Sequence, residues 1–143
     1  MSTKADFYIG EGNKAIKWLG SKIHDGYLDG IPTDILIQIN EIMFTEMVLE
    51  FLTLHPNDSI IAGEDSWPWL WSDSRMTDYS YIFLTDIYKV ATSYYGKELF
   101  DPIIIKQGDD LIAADLGIGK PEFPVMRRQS LNQTTELIKK YGS

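Results

Sequence analysis

Residues 33–55 read TDILIQINEIMFTEMVLEFLTLH, and this stretch has the clearest helical pattern in the sequence. Most of its helical circumference is apolar, and its polar side chains recur at helical spacing along one stripe: Asp34, Gln38, Glu41 and Thr45. Pro56 ends the pattern because a proline disfavours the α conformation in the residue before it. We therefore predict one long helix over residues 33–54. Such a helix belongs to the centre of the core, or it is partly buried against a partner such as a second copy of the chain.

Two pairs of β-rich segments flank this helix. DFYIG (6–10) and AIKWLGSKI (15–23) precede it and enclose turn residues, and YSYIFL (79–84) and IYKVATSYY (87–95) follow it. Each pair is typical of a hairpin. The segment SLNQTTELIKKYG (130–142) predicts a short C-terminal helix. The sequence thus predicts an α+β fold, in which two β-hairpins form a small antiparallel sheet packed on one long central helix, with a short helix at the C-terminus.

Composition limits the classes of protein to consider. A chain of 143 residues with 44% hydrophobic and 13% aromatic residues is typical of a folded protein, and we expect a single domain over residues 1–143. The absence of cysteine excludes disulfides, thiolate metal sites and cysteine nucleophiles. Neither an N-terminal secretory signal nor an apolar run long enough to span a membrane is present in the sequence. We therefore expect a cytoplasmic protein with no membrane association.

The net charge of −8 is unevenly distributed. Residues 1–23 carry +2, residues 24–115 carry −13 and residues 116–143 carry +3. Such an acidic body repels nucleic acid and anionic lipid and attracts basic proteins, although solubility alone also explains acidic composition. We expect a protein partner with a basic surface and no direct binding of nucleic acid.

The sequence contains no strong match to a motif that is typical of an enzyme. GEGNKA (10–15) matches a dinucleotide fingerprint, but the segment after it is typical of a strand, whereas the fingerprint requires a helix there. His24 and His55 are the two histidines, and no nucleophile motif accompanies them. We therefore predict no catalytic residue and no cofactor.

One carboxylate cluster leaves an alternative open. Asp109, Asp110 and Asp115 have the oxygen ligands that Mg²⁺ and Ca²⁺ prefer, although their spacing is not that of an EF-hand loop. Solvated turns are the commoner explanation in so acidic a chain. With His24, this cluster supports the alternative of a metal-dependent hydrolase or a protein that binds a signal nucleotide.

Residues 64–83, EDSWPWLWSDSRMTDYSYIF, contain three tryptophans at alternate positions. In an extended chain Trp67, Trp69 and Trp71 point to one face, where they either close the core or form a surface. Pro68 disfavours a central strand, so we expect an edge or loop segment with at least one indole at the surface. Tryptophan, tyrosine and arginine dominate the energetics of protein interfaces. The candidate partner-binding residues are accordingly Trp67, Trp69, Trp71, Asp65, Asp73, Arg75, Asp78 and Tyr79.

Several blocks of the sequence resemble a family of small proteins carried by phages and prophages. The blocks are ADFYIG, WLGS, DGYLDGIP, WPWLWSDSRMTDYSY and LFDP, and the resemblance spans roughly residues 5–102. The resemblance implies that this is an accessory protein of a bacterial virus that acts inside the host cell. It implies no particular activity. Together with the charge, it favours a non-enzymatic protein that binds and inhibits or redirects a host protein, plausibly a nucleic-acid-handling or antiviral defence factor. A self-associating structural or regulatory phage protein is the other alternative.

Overall fold

The computed structural model describes residues 3–12, 14–97, 99 and 101–102. Its strands are β1 (Ala5–Glu11), β2 (Lys14–Lys22), β3 (Ser59–Ile61), β4 (Tyr79–Leu84) and β5 (Lys89–Tyr94). Its α-helices are α1 (Thr33–Leu36) and α2 (Glu41–Thr53), and single 3-10 turns occupy Leu28–Gly30 and Ser74–Met76.

The strands form one mixed sheet in the order β3-β2-β1-β4-β5. The central strand β1 pairs antiparallel with β2 and parallel with β4, and β4 pairs antiparallel with β5. The α+β class is confirmed. The prediction of a small antiparallel sheet made of two hairpins is wrong. Strand β3 adds a fifth strand at one edge, and β1 and β4 run parallel. A parallel pair requires a crossover connection, and residues 23–78 provide it.

The predicted single helix over residues 33–54 is also wrong. The structure divides it into the one-turn α1 and the longer α2. Asn40 causes the break, because its backbone is extended and its side-chain Oδ1 accepts a hydrogen bond of 3.0 Å from the Met43 amide as the N-cap of α2. The break leaves Ile39 exposed, which the apolar pattern did not predict. The predicted C-terminal helix over residues 130–142 lies outside the described residues.

Asn40→Ala is expected to lower the free energy of unfolding by about 1 kcal/mol, because it removes the acceptor for the Met43 amide at the start of α2. Urea unfolding followed by circular dichroism measures the change. Asn40→Asp is the control, because it keeps an acceptor and adds a negative charge at the helix N-terminus. If Asn40→Ala and Asn40→Asp lowered the free energy of unfolding equally, the capping hydrogen bond would contribute nothing to stability.

The two faces of the sheet are covered by different parts of the chain. On one face, Phe7 of β1 and Phe83 of β4 belong to the core that includes Phe44, Val48 and Leu52 of α2. The other face carries a second buried cluster: Tyr8, Trp18, Ile82, Leu84, Ala91 and Leu99, with Trp67 packed against it. Because side chains alternate along a strand, Asp6 lies on this second face beside Tyr8.

Candidate partner-binding surface

The residues that follow β3, here called the tryptophan segment (residues 64–77), are fixed to the second face of the sheet by a buried carboxylate. Asp6 is fully buried, and its Oδ1 accepts hydrogen bonds from Trp69 Nε1 at 2.7 Å and from Ser21 Oγ at 2.6 Å. Its Oδ2 accepts a third from Thr77 Oγ1 at 2.8 Å. Two of these three donors belong to the tryptophan segment, so one side chain of the central strand holds both its middle and its end.

Burial sets the electrostatics of this carboxylate. Desolvation raises the pKa of Asp6 to about 6 from its ordinary 3.8, and the hydrogen bonds from Ser21, Trp69 and Thr77 limit the rise. An ionised carboxylate in such a position is costly unless donors surround it. The three donors therefore compensate only part of the cost of a charge that the sheet has removed from water.

Further hydrogen bonds continue this network through the tryptophan segment. Trp71 Nε1 donates to Thr77 Oγ1 at 3.0 Å, and Trp67 Nε1 donates to the backbone oxygen of Trp71 at 2.9 Å. The rings of Trp69 and Trp71 stack with centroids 5.2 Å apart and planes 15° from parallel. All three indole N–H groups thus bond to acceptors inside the protein, so the parts of these rings that remain at the surface are apolar.

The tryptophans differ in exposure. Trp69 is buried, whereas Trp67 and Trp71 are half-buried, so the segment is partly core and partly surface. The Trp67 ring also makes an edge-type contact with the ring of Trp18 on β2, with centroids 5.6 Å apart. Leu70, between the buried and the half-buried indole, has 97% of its surface exposed. The segment consequently presents a large apolar side chain on a backbone that its neighbours anchor.

A groove of about 640 Å³ runs beside the tryptophan segment. The three tryptophans, Pro68 and Leu70 line it together with Ile23 and Ile60, and its charged residues are Lys4 and Asp65. Asp65 is exposed, and so is Glu64 next to it. The groove is therefore mostly aromatic and aliphatic, with one carboxylate and one ammonium group among its lining residues.

The remaining predicted site residues take other positions. Asp73 is mostly buried, accepts a hydrogen bond from the Arg75 amide, and forms an ion pair of 2.9 Å with the exposed Arg75 guanidinium. Asp78 accepts a hydrogen bond of 2.8 Å from the Lys4 amide. Tyr79 packs against the helix-covered core, on the sheet face opposite Asp6. The structure thus brings Trp67, Trp69, Trp71 and Asp65 to one groove and places Tyr79 elsewhere.

Four residues that matter here were not among the predicted site residues: Asp6, Thr77, Leu70 and Lys4. Asp6 carried a signal, because an acidic residue within the apolar strand DFYI requires buried partners. The exposure of Leu70 had no such signal, since alternation alone does not distinguish which face of the segment meets the sheet.

The alternative of a metal-dependent hydrolase or a protein that binds a signal nucleotide gains no support from the described residues. His24 is exposed, and His55 Nδ1 lies 2.8 Å from the backbone oxygen of Phe51. Within residues 3–12, 14–97, 99 and 101–102, no three or more His, Asp or Glu side chains lie together so that they could hold a metal ion. The candidate metal ligands Asp109, Asp110 and Asp115 lie outside these ranges.

Comparison with known proteins adds no relative. No protein-family model, no curated protein and no solved structure matches this chain. In the part of the chain that the structure describes, no helix has the length and apolar character needed to cross a membrane.

Proposed function

We propose that this protein is a non-enzymatic binding module that docks on a basic partner protein through the tryptophan segment. The exposed Leu70 carries the proposal, because it projects from a backbone whose neighbouring indoles are hydrogen-bonded to Asp6 and Thr77. An apolar anchor that is already ordered loses little conformational freedom on binding. The half-buried Trp67 and Trp71 beside it supply the aromatic area that interface cores prefer.

Charge supports a basic partner. Glu64 and Asp65 are exposed at the start of the tryptophan segment, and the whole chain carries a net charge of −8. Long-range attraction between such a surface and a basic protein raises the association rate and weakens as salt increases. Asp73 is paired with Arg75 within the protein, so its charge contributes less to this field than that of Asp65.

The setting that we propose is a bacterial cell infected by a virus, with the protein acting in the host cytoplasm. The support is the resemblance of WPWLWSDSRMTDYSY and the other blocks to small phage-borne proteins. The target in this proposal is a host factor that handles nucleic acid or defends against viruses, since such proteins carry basic grooves that an acidic protein can occupy. This last step is an analogy between classes of protein.

Leu70→Ser is expected to weaken partner binding at least about 10-fold, because it removes the apolar anchor without adding a charge that a basic partner would attract. The measurement is affinity capture from bacterial lysate with tagged protein, eluted with increasing salt, followed by titration of the captured protein. Leu54→Ser is the matched control: Leu54 is also an exposed leucine, at the C-terminal end of α2, with 69% of its surface exposed.

Equal binding by the Leu70→Ser protein and the wild type would contradict the proposed function. Recovery of untagged copies of the chain itself would instead favour self-association. The exposed apolar side chains near the start of α2 are the candidate contact for that alternative: Ile39, Ile42 and Met43.

A further inference from the structure

The chemistry of the groove points to one kind of side chain. Because the indole N–H groups of Trp67, Trp69 and Trp71 all donate to internal acceptors, the tryptophans offer a ligand ring faces and edges and no hydrogen-bond donor. The negative π-face of an indole attracts cations. Asp65, exposed among the lining residues, adds a carboxylate. Aromatic faces and a carboxylate together fit a planar cation.

We propose that the groove beside the tryptophan segment binds an arginine side chain of the basic partner. The guanidinium stacks on the exposed ring surface of Trp67 or Trp71 and pairs with the Asp65 carboxylate, while Leu70 and Pro68 contact the aliphatic stem. Arginine fits better than lysine because its charge is planar, weakly hydrated and able to form two parallel hydrogen bonds with one carboxylate. This proposal rests on the proposed binding function and names the group that the site recognises.

Lys4 gives the proposal a second, independent consequence. Lys4 is the other charged residue that lines the groove, and its positive charge is expected to repel an incoming guanidinium. Removing this charge is expected to tighten the binding of arginine and to weaken that of a carboxylate ligand. A groove built for an acidic ligand would behave in the opposite way.

The test uses the full chain and three capped peptides, acetyl-(Gly-Arg)₃-amide and its lysine and glutamate counterparts, titrated at low salt and followed by tryptophan fluorescence. The arginine peptide is expected to bind roughly fivefold more tightly than the lysine peptide, and the glutamate peptide is expected not to bind. Asp65→Asn is expected to weaken arginine binding about fivefold, and Lys4→Met to strengthen it about twofold to threefold. Asp86→Asn, at another exposed aspartate, is the control and should change neither affinity.

Equal affinity for the arginine and lysine peptides would overturn the proposal, because it would show attraction to net charge alone. Preferential binding of the glutamate peptide would also overturn it, and so would the absence of saturable binding by any peptide. These outcomes leave the proposed function standing if capture of the partner still depends on Leu70. Capture that is insensitive to Leu70→Ser removes the proposed function instead.

Discussion

Replacing Asp6 with alanine is expected to lower the free energy of unfolding at pH 7 by about 2–4 kcal/mol. The substitution leaves three buried donors without their acceptor, Trp69 Nε1, Ser21 Oγ and Thr77 Oγ1. Each unsatisfied buried group costs roughly 1–3 kcal/mol. The substitution also removes a buried charge, and this removal stabilises the folded state. The raised pKa of about 6 corresponds to a stabilisation of about 3 kcal/mol. The loss exceeds the gain, so the variant is less stable.

Two further variants give this prediction its controls. Asp86→Ala removes an exposed carboxylate in the turn after β4 and is expected to change the unfolding free energy by less than about 0.5 kcal/mol. Asp6→Asn keeps an oxygen that accepts from Trp69 and Ser21 and carries no charge, so it is expected to be at least as stable as the wild type at pH 7. Urea unfolding at constant pH measures all three. An Asp6→Ala protein as stable as the wild type would show that this carboxylate does not hold the tryptophan segment.

The wild-type protein is expected to lose about 2 kcal/mol of stability between pH 4 and pH 7 relative to Asp6→Asn. The pKa of Asp6 is about 6 in the folded protein and 3.8 ordinarily, so the folded state retains the proton when the unfolded state has already lost it. The contribution of Asp6 to stability is therefore fully present below pH 3.8, decreases as the pH rises through 6, and is constant above it.

Urea unfolding of both proteins at intervals between pH 4 and pH 7.5 measures this difference. Other carboxylates titrate in the same range, but they are common to the two proteins and cancel in the comparison. Parallel pH profiles for the wild type and Asp6→Asn would contradict the assignment of the raised pKa to Asp6.

The local pattern of apolar residues predicted the strands and helices of the fold better than it predicted their arrangement. Alternation of apolar residues indicated the strands before and after the helical stretch, because each strand has a periodic pattern of its own. The parallel pairing of β1 with β4 depends on contacts between residues about 75 positions apart, for which the sequence has no local signal. The helix break at Asn40 was missed because the apolar spacing continues through it, whereas the capping hydrogen bond depends on one side chain.

The candidate site was predictable in part. The spacing of Trp67, Trp69 and Trp71 identified the segment, and Pro68 correctly argued against a central strand. Sequence alone did not show that Trp69 is buried while Trp67 and Trp71 are half-buried, because the position of Trp69 depends on its hydrogen bond to Asp6, 63 residues away.

If Asp6 holds the tryptophan segment in place as a preformed surface, the indole N–H signals of the four tryptophans in a ¹H–¹⁵N spectrum will show it. We predict that the Trp69 signal exchanges slowly with solvent and shifts with an apparent pKa of about 6, because its N–H donates to the Asp6 carboxylate. The Trp67 signal, whose N–H donates to a backbone oxygen, is expected to shift far less. A Trp69 signal that exchanges rapidly and does not titrate would show that the tryptophan segment is not attached to Asp6.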